Sequence, residues 1–502
     1  MPKRPVRLLS LAFALGGLLA AFGCSNGNSA ANAENNAGSG GMYRWHTFLG
    51  AVAAWPKVAV DASGNIYVAG ESALWEGPNG EPPIDAPADG SGMFIAKLDP
   101  EGGYLWHTFY DVNSLFGTGY LAVDGDDAVT VTGRSFEPWD GPGGEPPLNA
   151  YPQTDPLAPV SVVVHLQPDG SYGWHAFYGS LEPVVGMTPS DMGNAVAATS
   201  GGDLLVTGGS MSWEGPDGQA PLHSFAADAG TTLNLFVLAL GSDGTYLWHT
   251  FYPVRYGFAI AERDGAIYVA GNDTDLWYGP GGEAPIGGIT APDPANAFVV
   301  IGLDADGEYT WHAYHGQEST VYDLVAAEGG PFLAGTSYSG TWYGPGGTQP
   351  LHGFSAEGAD AFALALDADG GYRWHTFYGC PDSSSEVFSL AAGTDGTLYV
   401  PFYSLCPWDG PNGESPLTPF PAATGSLAIL ALLPDGDYAW HTFFHAGEWS
   451  GFHADSAFAG GALYTVGQAC GLWLGPNGES PLHDFTGGAD DNTDLFILKL
   501  VP

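Results

Sequence analysis

The sequence predicts an all-β fold, a single seven-bladed β-propeller of four-stranded antiparallel blades. The first observation is a repeated phrase, Trp-His-Thr-Phe or a close variant, which occurs seven times at intervals of 61 to 74 residues. Its tryptophans are Trp45, Trp106, Trp174, Trp248, Trp311, Trp374 and Trp440. The second observation is that each interval contains four short segments rich in β-branched and aromatic residues, separated by turn residues. Four-stranded units repeated at this period are typical of β-propellers.

The unit between residues 51 and 109 shows the four strands in order. The predicted strands are 52–60, 66–70, 93–98 and 104–109, and the turns at 61–64 and 99–103 are tight. A long connection with the pattern Trp-x-Gly-Pro joins strand two to strand three in every unit, at Trp75, Trp139, Trp213, Trp277, Trp342, Trp408 and Trp473. Third strands recur around Phe94, Val162, Phe236, Phe298, Phe362, Leu427 and Phe496. The long connections share one face of a propeller, which we expect to be the working face.

The two ends of the mature chain predict how the ring closes. Residues 43–48 form a fourth strand without a blade, and residues 495–500 form a third strand without a partner. Pairing them completes the seventh blade and removes the open sheet edges that invite aggregation. An open solenoid would need a cap at each end, and the sequence has none.

Composition limits the partners of this protein. The chain has 55 Asp and Glu against 11 Lys and Arg, a formal net charge of −44. Such a surface repels phosphate backbones, so nucleic acid is excluded as a partner. The acidity fits either solubility in a saline habitat or cation binding. The 76 glycines and 39 prolines, with 45% hydrophobic residues, favour a folded, turn-rich β protein.

The N-terminus reads as a bacterial export signal. Lys3, Arg4 and Arg7 precede an apolar stretch at 8–22, which is too short to span a membrane comfortably. Residues 21–24 (Ala-Phe-Gly-Cys) resemble a lipobox, which implies a signal peptide 1–24 ending at a lipidated Cys24. Ser25 is not the Asp of inner-membrane retention, so the resemblance implies an outer-membrane or cell-surface lipoprotein. Residues 25–41 form a polar tether to the propeller, 42–502; the alternative is ordinary cleavage near 31–33.

Three cysteines follow the leader: Cys380, Cys406 and Cys470. An exported protein favours a disulfide, and an odd number leaves one thiol over. Cys380 and Cys406 flank a hairpin that turns near residues 394–396, so we predict that they are paired. Pairing of Cys406 with Cys470, between adjacent units, is the alternative.

The repeat resembles a known family. The pattern Asp-x-x-Gly-x-Ile-Tyr-Val-Ala-Gly, then Phe-Ile-Ala-Lys-Leu, then Trp-x-Thr-Phe-x-Gly is similar to the SBBP repeats of bacterial and archaeal surface proteins. The match covers residues 43–500 and differs in the His after the Trp and in the Gly-Pro-x-Gly-Glu loop. The resemblance implies a seven-bladed propeller at the cell surface, and it implies no activity.

The loop tryptophans are candidate ligand-binding residues, because an aromatic ring beside polar groups can stack a sugar. The alternative is that each Trp anchors its long loop against the neighbouring blade. These residues are Trp75, Trp139, Trp213, Trp277, Trp342, Trp408 and Trp473.

Other repeated polar residues predict structure more than metal binding. One His per blade, on the outermost strand, places the seven too far apart to share an ion, so we expect inter-blade packing with a hydrogen bond. They are His46, His107, His175, His249, His312, His375 and His441.

Loop glutamates recur in five units (Glu81, Glu145, Glu283, Glu414 and Glu479). Gln219 and Thr348 interrupt that ring, and the Asp-x-Asp-Gly turns at 304–307 and 367–370 lack enough oxygen ligands for calcium. No cofactor is predicted; Ca²⁺ or another divalent cation is the alternative.

Residues outside the repeat are the candidates for chemistry. His445, Glu448 and His453 lie within nine residues of one another and offer three ligands for zinc, although loop side chains need not point together. No Ser/His/Asp order, phosphate-binding Gly loop or CxxC is present, so no catalytic residue is predicted.

These observations predict a lipid-anchored surface propeller that acts as a binding or scaffold module for a surface glycan or protein. The alternatives are a carbohydrate-binding lectin and a propeller enzyme of the polysaccharide lyase, hydrolase or quinone-dependent dehydrogenase type. Two or more unlike titratable residues within hydrogen-bond reach in the central channel would count against a plain scaffold.

Overall fold

The computed structural model describes residues 42–502 except 51–53, 88–89, 113–119, 153–158, 181–190, 227–232, 274–275, 288–296, 339, 356–357, 382, 422–424, 445–452 and 488–492. The predicted signal peptide and tether lie outside the described residues. The described part contains 29 β-strands and one short 3-10 turn, Pro345–Gly347. It contains no helix long and apolar enough to cross a membrane.

The strands form seven separate antiparallel sheets, one for each repeat. Blade 1 contains β2 (Ala54–Val60), β3 (Ile66–Ala73), β4 (Ser91–Leu98) and β5 (Tyr104–Tyr110). Blade 2 contains β6 (Leu121–Val123), β7 (Val129–Ser135), β8 (Val160–Leu166) and β9 (Tyr172–Tyr178). Blade 3 contains β10 (Met192–Ala198), β11 (Leu204–Ser210), β12 (Asn234–Leu240) and β13 (Tyr246–Tyr252).

The next three blades follow the same order. Blade 4 contains β14 (Tyr256–Arg263), β15 (Ala266–Asp273), β16 (Ala297–Leu303) and β17 (Tyr309–His315). Blade 5 contains β18 (Ser319–Ala327), β19 (Gly330–Ser337), β20 (Asp360–Leu366) and β21 (Tyr372–Tyr378). Blade 6 contains β22 (Ser385–Val387), β23 (Ala391–Ala392), β24 (Leu398–Ser404), β25 (Ser426–Leu432) and β26 (Tyr438–Phe444).

Blade 7 joins the two ends of the propeller. It contains β27 (Asp455–Ala459), β28 (Ala462–Ala469), β29 (Asp494–Leu500) and β1 (Tyr43–Leu49). The pairing of β1 with β29 places Phe48 opposite Phe496 and Tyr43 opposite Leu500. The predicted closure is therefore confirmed, and the N-terminal strand is the outer strand of the last blade.

The first strands of the blades form a closed ring around the axis. Each contacts the first strand of the next blade, through β2, β6, β10, β14, β18, β23, β27 and back to β2. The chain is thus a seven-bladed β-propeller, as the repeat predicts. Because strand direction alternates within a blade, the long two-to-three connections and the inter-blade connections share one face, called here the long-loop face.

The hydrophobic core lies between neighbouring blades rather than inside one of them. One core cluster, for example, joins Phe94 and Phe109 of blade 1 to Leu495 and Ile497 of blade 7, and all four are at most 1% exposed. Burying one such side chain stabilises the fold by about 1.5–3 kcal/mol. A blade therefore depends on both neighbours, which is why closing the ring matters.

Blade 6 departs from the repeat where its inner strand is broken into β22 and β23. In other blades strand two has a glycine here, and a Cβ at Gly208 or Gly335 would lie 1.9 or 2.1 Å from a carbonyl oxygen of the inner strand. Blade 6 has Phe402 at this position. Its Cβ excludes the close approach, so residues 388–390 leave the ladder between the two short strands.

Candidate functional site

The repeated histidines are structural, and each lies within its own blade. In every blade the ring Nδ1 lies 2.5–2.7 Å from the hydroxyl of the Tyr three residues earlier. Nε2 lies 2.9–3.2 Å from the backbone oxygen of the loop Trp. Since a carbonyl only accepts, Nε2 carries the proton and Nδ1 accepts from the tyrosine. The expected hydrogen bond is present, but it joins the histidine to the loop of the same blade rather than to the next blade.

The same histidines cover the loop tryptophans. Each indole stacks on the imidazole of its blade with ring centroids 3.7–4.0 Å apart. Apart from Trp139, which is half-buried, the loop tryptophans are at most 8% exposed. The six buried rings are therefore covered and offer no platform for a sugar, and Trp139 has one ring face covered by His175. Six of the loop tryptophans also pack against an aromatic ring of the preceding blade, as Trp139 does against Tyr110, so the predicted anchoring against the neighbouring blade is confirmed there.

The loop glutamates bind their own turn. Glu81 accepts hydrogen bonds from the backbone N–H of Asn79 at 2.8 Å and from its side-chain amide at 3.0 Å. Glu414 and Glu479 make the same pair of bonds to Asn412 and Asn477. These bonds stabilise the Gly-Pro-x-Gly turn. The described residues contain no group of three or more His, Cys, Asp or Glu placed to hold a metal ion.

The Asp-x-Asp-Gly turns are hairpin turns. Asp304 Oδ1 accepts the N–H groups of Asp306 and Glu308 at 3.0 and 2.9 Å. Asp367 repeats this arrangement with Asp369 and Gly371. One carboxylate therefore closes each turn from within, and the second faces solvent.

The symmetry of the propeller breaks at one level of the inner strands. At this level each inner-strand residue lies opposite the residue that precedes the strand-two glycine, as Lys57 lies opposite Ala69 and Asp323 opposite Ala334. We call this level the axial layer. Around the ring it contains Lys57, Tyr120, Ala195, Ala259, Asp323 and Asp455. In the irregular blade 6 we assign Ser389 to this layer, because it and the residue after it bond to the neighbouring blades as the other members do.

Three polar residues of the axial layer bind the next blade. Asp323 and Asp455 accept the backbone N–H of Leu390 and Val58, both at 2.8 Å. Ser389 accepts that of Ser456 at 3.1 Å. A carboxylate or hydroxyl at this level thus joins blades 5 to 6, 6 to 7 and 7 to 1.

Lys57 adds a charge to the seam between blades 7 and 1. Its Nζ lies 3.3 Å from Asp455 Oδ1, and both side chains are at least 90% buried. This is the meeting of unlike titratable groups in the central channel that argues against a plain scaffold. A buried pair of this kind is held in place because removing either partner leaves an unpaired charge.

Asp323 has no such counter-ion. Its oxygens accept the N–H groups of Leu324 and Leu390, and none of the ion pairs among the described residues includes it. Burial raises the pKa of Asp323 to about 7, while the nearby Lys57 works in the opposite direction and Asp455 adds to the rise. This carboxyl group is therefore poised between its neutral and charged forms near neutral pH.

These groups line a cavity on the propeller axis, called here the axial cavity. Its volume is about 150 Å³. Blades 5, 7 and 1 contribute the charged or polar residues Asp323, Asp455, Ser456 and Lys57, called here the polar wall; blades 2, 3 and 4 contribute Leu121, Ala195, Val196, Ala259 and Ile260, called here the apolar wall. A cavity with both kinds of wall is suited to an amphipathic small molecule.

An aromatic cluster lies one step towards the long-loop face. His453 stacks on Trp55 with ring centroids 3.2 Å apart, and Phe388 packs edge-on against His453 at 4.4 Å. Burial and the neighbouring Lys57 hold the pKa of His453 well below its usual range, so the imidazole is neutral. Its Nδ1 is buried without a hydrogen-bond partner among the described residues. Phe388 reaches this position because blade 6 is irregular.

The zinc site proposed for His445, Glu448 and His453 is only partly visible, because residues 445 and 448 lie outside the described residues. His453 is placed against the axis by its stack on Trp55.

The cysteine prediction is confirmed in its main point. Cys380 and Cys406 form a disulfide, with Cα atoms 5.4 Å apart. The alternative Cys406–Cys470 pair is therefore absent. The expected spare thiol is not found, since no cysteine of the described chain is free.

Lys57, Asp323, Asp455, Trp55 and Phe388 were not singled out by sequence. A signal was present, because Lys57, Lys97 and Lys499 are the only lysines after the leader. Lys97 and Lys499 occupy equivalent places in strand three and donate to the turn of the next blade, at Pro168 and Pro100. Lys57 alone stands outside this pattern.

No family model matches the chain. It is 27% identical over 280 residues to an uncharacterized WD repeat-containing protein of Acanthamoeba polyphaga mimivirus, a segment that is 46% of this chain and only 19% of the viral protein.

Similar solved structures are remote. The Dos1 propeller has a TM-score of 0.44 at 8% identity, covering 92% of this chain and 96% of that one. Trypanosoma rangeli sialidase has a TM-score of 0.37 at 10% identity, covering 92% of this chain and 58% of the sialidase. A quinohemoprotein alcohol dehydrogenase of Pseudomonas putida has a TM-score of 0.35 at 11% identity, covering 92% of this chain and 76% of the dehydrogenase. At such scores these similarities indicate no ligand or activity for this chain.

Proposed function

We propose that this protein is an exported, lipid-anchored β-propeller that binds a small ligand in its axial cavity. One observation carries the proposal. The repeated His, Trp and Glu side chains bind or pack on other groups of the propeller, whereas the axial layer places unlike charged groups on a cavity. Near-equivalent blades build the scaffold. The exceptions to the repeat gather on the axis, where all seven blades meet.

The anchor and location come from the sequence. The leader and the lipobox-like residues 21–24 support lipidation at Cys24, and the resemblance to SBBP repeats supports an outer-membrane or cell-surface location. Mass spectrometry of the mature protein is expected to find Cys24 as an acylated N-terminus, and Cys24→Ser is expected to leave the membrane fraction. A mature N-terminus beyond Cys24, or a Cys24 thiol bonded to another group, would contradict the anchor.

Ligand binding in the axial cavity is tested by filling it. Ala259 lines the apolar wall and is 2% exposed. A chemically diverse set of small anions, cations and neutral compounds is screened by thermal shift against the full chain in detergent. Ligands are expected to stabilise the wild type and to lose this effect in Ala259→Leu. The matched control is Ala305→Leu, in an exposed hairpin turn. Ligands that stabilise all three proteins equally would place the binding site elsewhere.

An enzyme is the second candidate function, and Asp323 is the observation that favours it. A carboxyl group with a pKa near 7 can both give and take a proton at neutral pH. Its test is turnover: conversion of a compound that binds in the axial cavity, abolished by Asp323→Ser while binding is retained, would assign catalysis to this residue. Binding without conversion keeps the binding-module assignment.

A further inference from the structure

We infer that the axial cavity takes a small aliphatic amine, with its ammonium group against Asp323 and its alkyl body against the apolar wall. The inference rests on the proposed function and specifies the ligand class of the same cavity.

The charge count of the polar wall calls for one added cation. Asp455 is compensated, since Oδ1 faces Lys57 at 3.3 Å and Oδ2 accepts the N–H of Val58 at 2.8 Å. Among the described residues, Asp323 has backbone donors only. When Asp323 is ionised, the two carboxylates and one ammonium of the polar wall carry one net negative charge. A ligand cation that pairs with Asp323 removes this imbalance, and charge-assisted bonds of this type are among the strongest in proteins.

The same count argues against an anionic ligand. Lys57 is the one cation among the described residues of the cavity wall, and it is already paired with Asp455. An anion would have to break that buried pair and face Asp323 as well. Both steps cost free energy, because charges with no partner are poorly tolerated in the interior.

The apolar wall fixes the rest of the ligand. The side chains of Leu121, Val196 and Ile260 offer neither donors nor acceptors, so they match an alkyl chain. A volume of about 150 Å³ equals that of about five water molecules. A primary amine of four or five carbons fills this space, whereas a sugar ring would leave its hydroxyls facing the apolar wall.

The aromatic cluster above the cavity favours a cation too. Trp55 and Phe388 contact each other one residue or two from the axial layer, and aromatic rings attract ammonium groups. His453 is neutral, so it does not repel a cation, and its buried Nδ1 has no partner in the described chain.

The test uses butylammonium, butanol and butyrate as probes of equal length and different charge. Isothermal titration with the full chain in detergent is expected to show saturable binding of butylammonium, weaker binding of methylammonium, and none of butanol or butyrate. Asp323→Ser is expected to weaken butylammonium binding at least tenfold. Serine suits this position because Ser389 makes the same inter-blade bond one blade further on. The control is Asp306→Ser, in an exposed turn, which is expected to bind like the wild type.

Each outcome separates this inference from the proposed function. The amine inference is wrong if folded Asp323→Ser still binds butylammonium. It is also wrong if amines do not bind while other compounds bind and are blocked by Ala259→Leu. In both cases the axial cavity remains a candidate binding site. Absence of any ligand that Ala259→Leu blocks overturns both. Thermal unfolding and circular dichroism confirm that each variant is folded before its affinity is interpreted.

Discussion

Asp455 on the inner strand of blade 7 and Lys57 on the inner strand of blade 1 form a buried ion pair, with Nζ 3.3 Å from Oδ1. The second oxygen of Asp455 accepts the N–H of Val58 at 2.8 Å. The seam where the ring closes is thus joined at the axis by this carboxylate, as it is joined at the rim by the pairing of β1 with β29.

Removing the cation from this pair is expected to destabilise the fold. Lys57→Met leaves Asp455 buried without its partner, and breaking a buried pair costs about 3–5 kcal/mol. The urea midpoint of the variant measures this loss. Arg263 pairs with Asp264 at the surface, where the side chains are 48% and 89% exposed, so Arg263→Met is the matched control. Equal midpoints for the two variants would show that the axial pair contributes no more than a surface pair.

Removing the closing strand is expected to open blade 7. Deletion of residues 42–48 exposes the edge of β29 and the packing surface of Phe496, which is 2% exposed in the intact protein. We expect a melting temperature lower by several degrees and a stronger tendency to aggregate. A deletion of equal length within residues 25–41 serves as the control, and a melting temperature unchanged by loss of the strand would refute the closure.

The stacked histidines predict a loss of stability in acid. Burial lowers the pKa of His249 to about 4, and His46, His312 and His375 have the same value for the same reason. The unfolded value is about 6.5, so the folded state binds fewer protons between these limits. Their contribution is complete above pH 6.5 and is lost as the pH falls towards 4.

A single substitution isolates this contribution. His249→Gln removes one titrating group, so the stability difference between wild type and variant is expected to shrink as the pH falls from about 7 to about 4.5. Urea midpoints at a series of pH values measure that difference. A difference that stays constant over this range would mean that His249 titrates with an ordinary pKa in the folded protein.

Asp323 predicts the opposite dependence of stability on pH, a gain in stability as the pH falls. Burial raises its pKa to about 7, above the unfolded value of about 3.8, so the folded state binds more protons than the unfolded state in between. Wild type is therefore expected to gain stability relative to Asp323→Ser as the pH falls from 8 to about 4. Urea midpoints of the two proteins at pH 8 and pH 5 provide the measurement, and a relative gain at high pH instead would contradict the buried, uncompensated carboxyl group.

The disulfide of blade 6 is expected to stabilise the irregular inner strand. Cys380 and Cys406 are 26 residues apart, and closing a loop of that length contributes about 3 kcal/mol. The double variant Cys380→Ser, Cys406→Ser is expected to unfold at a lower temperature, with an increase in proteolysis between the two positions. If its melting temperature matches that of wild type, the covalent link adds nothing to blade 6.

Much of the fold can be predicted from the sequence, because the pattern of each strand occurs seven times. The Trp-His-Thr-Phe phrase marks strand four, and its unpaired first copy identifies the closing strand β1. The Cys380–Cys406 pair follows from a hairpin with one turn. Sequence reasoning was right that the loop Trp packs against the neighbouring blade, as Trp139 does against Tyr110 and Trp408 against Tyr378. It did not identify the loop Trp of the same blade as the partner of each His, because that contact forms only when the long loop folds back over its own outer strand.

The sequence by itself determined the number of blades, the order of strands and the closure, since those depend on local hydrophobic pattern and turn residues repeated along the chain. Only the tertiary structure decided where the exceptions meet. Lys57, Asp323 and Asp455 are separated by up to 398 residues, and no local pattern relates them. They come together because each inner strand brings one residue to the same level of the axis, and a ring of seven unlike residues becomes a site only after the ring has closed.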